Sequence, residues 1–200
     1  MDAAILILQE DKEIIEEYVS GNSEIAATAF VRKYQTFVYS TVYRYLQSHA
    51  DSDDAAQEVF IKALSNLSKF RSDSSLKTWL YRISSNVAKN ALRKRKVMSI
   101  FKKNENSDLE DYDNMASGDL PPDLKFENKE LEQKFSEVLA TLPQKQRETF
   151  ALRYFEELSY NEISDMLGTS VGGLKANYHQ AVKKMAEYLK PVFYPEGSEE

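Results

Sequence analysis

The stretch from Val97 to Phe126 does most to limit what this chain can fold into. It carries Glu105, Asp108, Glu110, Asp111, Asp113, Asp119 and Asp123, a glycine and the pair Pro121-Pro122, and the regular apolar pattern of the rest of the chain collapses there. Such a segment cannot bury enough apolar surface to offset the entropy of ordering it. A structureless run of that length does not belong inside one compact domain. It reads as an acidic flexible linker over residues 97–126, with one domain before it (1–96), a second after it (127–190) and a tail (191–200). Each domain is then too short for anything but a small, simple core.

Both flanking segments are patterned for helices. From Asp2 to Ser20, acids alternate with Ile7, Leu8, Ile14, Ile15, Tyr18 and Val19 at helical spacing, and Gly21-Asn22 supplies a left-handed stop. Ser23 offers an N-cap for a helix over 24–47, with Phe30, Tyr34, Phe37, Thr41 and Tyr45 on one face. Asp51 to Asp54 supplies caps for the next helix, whose apolar stripe is Val59, Phe60, Ala63, Leu64, Leu67 and Phe70. After the polar loop 71–75, Leu76, Leu80, Ile83, Val87 and Ala91 mark the buried side of a further helix. Beyond the linker come helices over 127–141, 144–155, 158–167 and 171–189. The last has Val171, Leu174, Tyr178, Ala181, Met185 and Tyr188 inward. No strand is needed, so the expected fold is all-α: two small helical bundles joined by the linker.

Charge is distributed very unevenly. The chain is net −6, yet between Arg71 and Lys103 ten Lys/Arg face a single acid, Asp73. Arg82, Asn86, Lys89, Arg93 and Lys96 recur at steps of four and three, giving one helix a core face and a separate cationic face beside the only tryptophan, Trp79. Cations suit phosphates, and flat rings suit exposed bases. A run of cations near a helix C-terminus is also stabilising in its own right, and a tryptophan is as readily a core residue as a stacking platform. Near the other end, a short helix, a turn at Gly168-Thr169-Ser170 and a longer helix presenting Gly172, Lys175, Ala176, His179 and Lys183 outward form a helix-turn-helix pattern. Two helices and a turn do not by themselves define a DNA reader, but small residues on an exposed face allow close approach to a groove.

Other classes of function fit poorly. There is no cysteine, so disulfides and thiolate metal sites are excluded. His49 and His179 lie far apart without ligand-spaced carboxylates, so no metal and no cofactor is expected. The run from Gly168 to Lys175 superficially resembles a phosphate loop, but its lysine does not directly follow the second glycine and no Ser/Thr follows it. No catalytic site is expected. The apolar run Ala3 to Leu8 is short and lacks a basic leader, and no apolar run approaches the ~20 residues that span a bilayer, so a cytoplasmic protein without membrane insertion is expected.

Taken together, these residues resemble the bacterial sigma-70-type RNA polymerase sigma factors of the small extracytoplasmic-function kind. Asp51 to Ile61 (DSDDAAQEVFI), Phe70-Arg71 and Lys77 to Leu80 (KTWL) are similar to the second conserved region of that family. Leu142-Pro143 with Arg147, Leu158 to Tyr160 with Glu162-Ile163, and Leu167-Gly168 are similar to its fourth. The resemblance runs from about Glu13 to Leu189 and rests on the order and spacing of several individually weak motifs. It implies a protein with no activity alone that directs core RNA polymerase to promoter DNA, with an anti-sigma factor as a further partner. Asp54, Gln57, Glu58 and Ile61 would dock on the polymerase clamp. Arg71, Ser74, Lys77, Trp79, Arg82, Asn86, Lys89 and Arg93 would engage the minus-ten element, the loop 71–75 with Leu76 to Trp79 trapping an unstacked base. Ser170, Gly172, Lys175, Ala176, His179 and Lys183 would read the minus-thirty-five element. Two other readings compete. A sigma-mimicking module that sequesters an anti-sigma factor would have no use for Trp79 and the cationic stripe. A polymerase-independent helix-turn-helix regulator leaves the Asp51 to Ile61 motif unexplained.

Overall fold

A computed structural model describes residues 10–103 and 129–193. Most of the expected linker, the Ala3 to Leu8 run and most of the tail lie outside the described residues. All regular structure among the described residues is helical: α1 (Asp11–Val19), α2 (Ser23–Leu46), α3 (His49–Leu67), α4 (Leu76–Lys103), α5 (Lys129–Thr141), α6 (Gln144–Tyr154), α7 (Tyr160–Leu167) and α8 (Val171–Phe193). They fall into two compact units, Met1–Glu110 and Asp111–Glu200.

In the first unit α2 is the central helix, packed by α1, α3 and α4, with α3 and α4 also against each other. Its length and aromatic density explain that place: Phe30, Tyr34, Phe37, Val38, Val42, Tyr43 and Leu46 are all buried. Onto it pack Ile14 of α1, then Ala55, Val59, Ala63 and Leu67 of α3, and Leu76, Leu80 and Val87 of α4. The four α3 residues recur every four positions, and alanine at two of them lets the helix axes come close. Phe60, Leu64 and Phe70, expected in the same stripe, are only half-buried at its edges, as are Tyr45 on α2 and Ile83 and Ala91 on α4. Helix α1 is tied down by the Tyr34 hydroxyl and Lys33 Nζ, donating to Asp11 Oδ1 at 2.5 and 2.6 Å, and by the Tyr18 hydroxyl donating to the Leu64 carbonyl at 2.9 Å. Burial, then the bond to Asp11, pushes the Tyr34 hydroxyl far above the ordinary tyrosine range, so it stays a donor.

In the second unit α8 is the common partner of α5, α6 and α7. Phe135, Val138, Leu139, Leu142, Phe150, Ala181 and Met185 form its core, with Phe155, Tyr178 and Leu189 packed at the edge. Tyr188, expected inward, is exposed instead, and its hydroxyl donates to Glu137 Oε2 at 2.9 Å while Leu189 turns to the core. The phenol gains more from a carboxylate partner at the surface than from burial beside apolar groups.

Several boundaries differ from the expected ones, for local reasons. Helix α2 takes Asn22 rather than Ser23 as its N-cap, and Gly21 adopts φ 107° in the preceding turn. Helix α3 begins at His49, before the acidic run, because the Ser48 side chain accepts the Asp51 N–H at 3.3 Å. Its acids therefore lie within the first turns, where the helix dipole favours them. Helix α4 continues to Lys103, beyond the expected domain end at 96. Residues 97–103 contain neither Gly nor Pro, and lysines at 102 and 103 favour a helix C-terminus. Helix α7 starts at Tyr160 because Ser159 and Glu162 close a capping box, and Gly168 ends it at φ 63°. Helix α8 runs through Pro191 to Phe193.

Candidate nucleic-acid and polymerase interface

Three faces carry the residues singled out in the sequence. The first is the outer side of α3, where Asp54, Gln57, Glu58 and Ile61 are all exposed. Ile61 is 67% exposed, a large apolar side chain in water beside Glu58, which pairs with Lys62 at 2.6 Å. A lone exposed isoleucine is unremarkable. Set among polar side chains that can hydrogen-bond, it gives the face the mixed character of a docking surface.

The second face lies between α3 and α4. The loop leading into α4 is held by Ser75, whose Oγ accepts the Thr78 N–H at 3.1 Å and meets Thr78 Oγ1 at 2.9 Å. Ser72 in this loop has φ 57°, a left-handed conformation that costs a non-glycine residue free energy. Arg71 pairs with Asp73 at 3.4 Å, both highly exposed, and Ser74 Oγ donates to the Ser75 carbonyl. Below the loop, Trp79 packs on Phe70 with ring centroids 5.4 Å apart at 54°. These two rings form one end of an open groove of about 500 Å³, which continues along Asn86 and Asn90 of α4 and Lys62, Asn66 and Lys69 on the α3 side. The groove thus has an aromatic end, three amides that both donate and accept hydrogen bonds, and two cations. That combination can stack a planar ring and read its edge.

The expected minus-ten residues are not all brought together. Trp79 and Asn86 line the groove, and Arg93 Nη1 donates to Asn90 Oδ1 at 2.9 Å, extending the polar wall toward the end of α4. Arg82 is exposed. Lys77 and Lys89 turn instead toward α2, with Nζ 4.9 Å from the Phe37 ring and 5.5 Å from the Tyr45 ring. Arg95 pairs with Asp51 at 3.6 Å, joining the basic end of α4 to the start of α3. Sequence reasoning passed over Lys62, Asn66, Lys69, Phe70, Ile83, Val87 and Asn90 as groove residues. A signal for them exists: 62, 66 and 69 step by four and three from α3 into the turn that follows it, just before the aromatic Phe70. Only the packing of α3 on α4 gives that stripe a use.

The third face is α8. Ser170 Oγ accepts the Gly173 N–H at 3.3 Å, so this residue, expected as a DNA contact, serves as the cap that starts the helix. Gly172, Lys175, Ala176, His179 and Lys183 are exposed along one side. A Cβ built on Gly172 would meet nothing within 4 Å, so the missing side chain leaves open space outside the protein rather than easing internal packing. Lys175 Nζ lies 5.9 Å from the Tyr160 ring, and Lys183 sits near Glu187 at 3.9 Å. Among the described residues no group of His, Asp and Glu could hold a metal ion, and no helix is long and apolar enough to cross a membrane.

An all-helical pair of units, one with a stacking groove beside cations and one with a helix-turn-helix, defines a class of nucleic-acid reader. Comparison with known proteins narrows it. Residues 30–97 match the family Sigma-70 region 2, and residues 132–185 match Sigma-70, region 4. The chain is 30% identical to the RNA polymerase sigma-H factor of Pseudomonas aeruginosa over 190 residues, 94% of this chain and 98% of that protein. It is 32% identical to the ECF RNA polymerase sigma-E factor of Escherichia coli K12 over 187 residues, 90% of this chain and 95% of that protein. The fold is also similar to the sigma factor RpoE solved in complex with the anti-sigma factor NepR from Bartonella quintana. The TM-score is 0.63 at 21% identity, over 82% of this chain and 96% of that one. The chain belongs to the sigma-70 family of RNA polymerase sigma factors, in its extracytoplasmic-function branch, and is a promoter-directing factor.

Proposed function

We propose that the three faces divide the work of promoter recognition. The exposed side of α3, with Asp54, Gln57, Glu58 and Ile61, docks on core RNA polymerase. The groove between α3 and α4 receives a base unstacked from the minus-ten element, Trp79 and Phe70 flanking it and Asn66, Asn86 and Asn90 reading its edge. Arg71, Arg82 and Arg93 hold the neighbouring phosphates, and α8 enters the major groove of the minus-thirty-five element. Unstacking a base costs a few kcal/mol. One stacked ring returns ~1–3 kcal/mol, so stacking and edge hydrogen bonds together offset the cost. The protein adds no covalent chemistry; it selects the site and stabilises the opened strand.

The observation that carries this reading is the aromatic and amide groove beside a cationic helix end, because duplex binding alone has no need of it. The domain plan follows, with its first boundary moved to the end of α4: clamp docking and minus-ten reading up to Lys103, minus-thirty-five reading within 127–190, and a linker between them. An anti-sigma partner is proposed by analogy with the Bartonella complex. The test is transcription by purified core polymerase on a genomic promoter library, with and without this protein. New start sites preceded by shared elements near minus ten and minus thirty-five are expected. If no new start appears, the reading fails.

A further inference from the structure

Tyr160 is the first residue of α7, held in place from three sides. The capping box fixes its backbone: the Glu162 N–H reaches Ser159 Oγ at 3.3 Å, and the Ser159 N–H reaches Glu162 Oε2 at 2.8 Å. Behind it, the Arg153 guanidinium lies 5.3 Å from the ring centroid and is itself anchored, Nη1 donating to the Leu158 carbonyl at 2.8 Å. From α8, Tyr178 meets the ring edge-on at 6.3 Å and 80°. The remaining neighbour is mobile by nature. Lys175, on the exposed side of α8, has a four-carbon stem with many rotamers, and its Nζ lies 5.9 Å from the same ring.

A fixed ring beside a flexible cation restricts where that cation spends its time, because the ring face attracts positive charge. We propose that Tyr160 is a positioning residue for promoter reading: it holds the Lys175 ammonium at the outer side of α8, so that less rotamer freedom is lost when Lys175 meets DNA. The proposal rests on the reading that α8 enters the minus-thirty-five groove. Arg153 contributes indirectly. Held at the Leu158 carbonyl, its charge stays beside the ring and leaves the neighbourhood favourable to a phosphate. The device crosses the helix-turn-helix: a residue of the first helix tunes a contact of the second.

Two measurements on the full-length protein test this. In the free protein, ring current from Tyr160 should move the Lys175 ε-methylene protons upfield by NMR, and Tyr160→Leu should abolish the shift while Tyr160→Phe retains it. Random-coil ε-methylene shifts in the unaltered protein would overturn the proposal without touching the assignment of α8 to DNA. The second measurement is affinity of the holoenzyme for a promoter found in the transcription screen. Tyr160→Leu should weaken binding by about two- to fivefold, the worth of an exposed cation–π contact, and Tyr160→Phe should match the unaltered protein. In a Lys175→Ala background the Tyr160→Leu loss should vanish. A loss of equal size in that background would show that Tyr160 acts through packing and overturn the proposal. If Lys175→Ala changes neither affinity nor the salt slope, expected to fall by about one unit for a phosphate contact, then the assignment of Lys175 to DNA fails first.

Discussion

Gly172 and Gly173 are neighbours at the start of α8, yet they answer to different constraints. A Cβ on Gly173 would stand 3.3 Å from Ser170 Oγ and 3.3 Å from Thr169 Cγ2, against the cap that starts the helix. On Gly172 it would point into open space. Gly172→Ala should therefore leave stability unchanged or raise it, by up to about 1 kcal/mol from helix propensity, and weaken binding to the minus-thirty-five duplex. Gly173→Ala should lower the thermal midpoint instead. Thermal denaturation and fluorescence anisotropy on the same two proteins check both, and full DNA affinity in Gly172→Ala would remove that residue from the interface. Trp79 poses the corresponding question in the first unit. With its ring on Phe70 and half-exposed to the groove, Trp79→Ala should impair strand opening more than holoenzyme binding, as permanganate reactivity of unpaired thymines would report. Equal loss in both would assign the ring to structure. The sequence shows that Trp79 sits next to a polar loop. It does not show Phe70 beneath it, because that contact joins residues on either side of the loop.

At the scale of elements, much of the molecule was readable because caps and periodicity are local. The Ser159/Glu162 box spans four residues, and its two partners lie only three positions apart in the sequence. It fixes where α7 begins, and so how α7 meets α8. Ser159→Ala should cost about 1 kcal/mol, the usual worth of an N-cap, seen as a lower denaturation midpoint of the second unit. A change within error would mean that Glu162 alone satisfies that helix end. Helix α4 shows the opposite case. Its polar residues, spaced by four and three, read as one DNA-facing stripe. In the folded unit its members part company: Asn86 faces the groove, joined there by Asn90 from outside the stripe, while Lys89 lies over Tyr45 of α2, as Lys77 lies over Phe37. Spacing gives the angle of a side chain around its own helix. Which neighbour occupies that angle depends on how α2 and α3 pack on either side.

For the whole molecule, the proposed division of work makes the two units two reading heads on one chain. Linking them makes the second contact intramolecular once the first has formed, so modest separate affinities yield a tight complex. Where each unit makes its own contacts with the promoter, the effects of residues in different units should be independent. Trp79→Ala combined with Lys175→Ala should reduce holoenzyme affinity for an open promoter by the sum of the single losses, within ~0.3–0.5 kcal/mol. A double variant no worse than the poorer single one would mean that the two heads do not act on the same complex. The overall charge of −6 hides this arrangement, since ten Lys/Arg fall between Arg71 and Lys103 against a single acid.

The sequence by itself determined the helices, the division into two units and the family, because each rests on spacing within a few turns or on the order of motifs along the chain, while the caps of α2 and α3 fell on Asn22 and Ser48 rather than on the expected residues. It also placed Asn86, Gly172, Lys175 and His179 on polar or outward faces, and left Trp79 open between core residue and stacking platform. The tertiary structure alone decided which of those faces became a site. The groove draws Lys62 and Asn66 from α3, Lys69 from the turn after it, and Asn86 and Asn90 from α4, and Lys175 finds its ring on a neighbouring helix. Periodicity describes one helix in isolation, whereas a groove exists only between two, so its residues are fixed by packing.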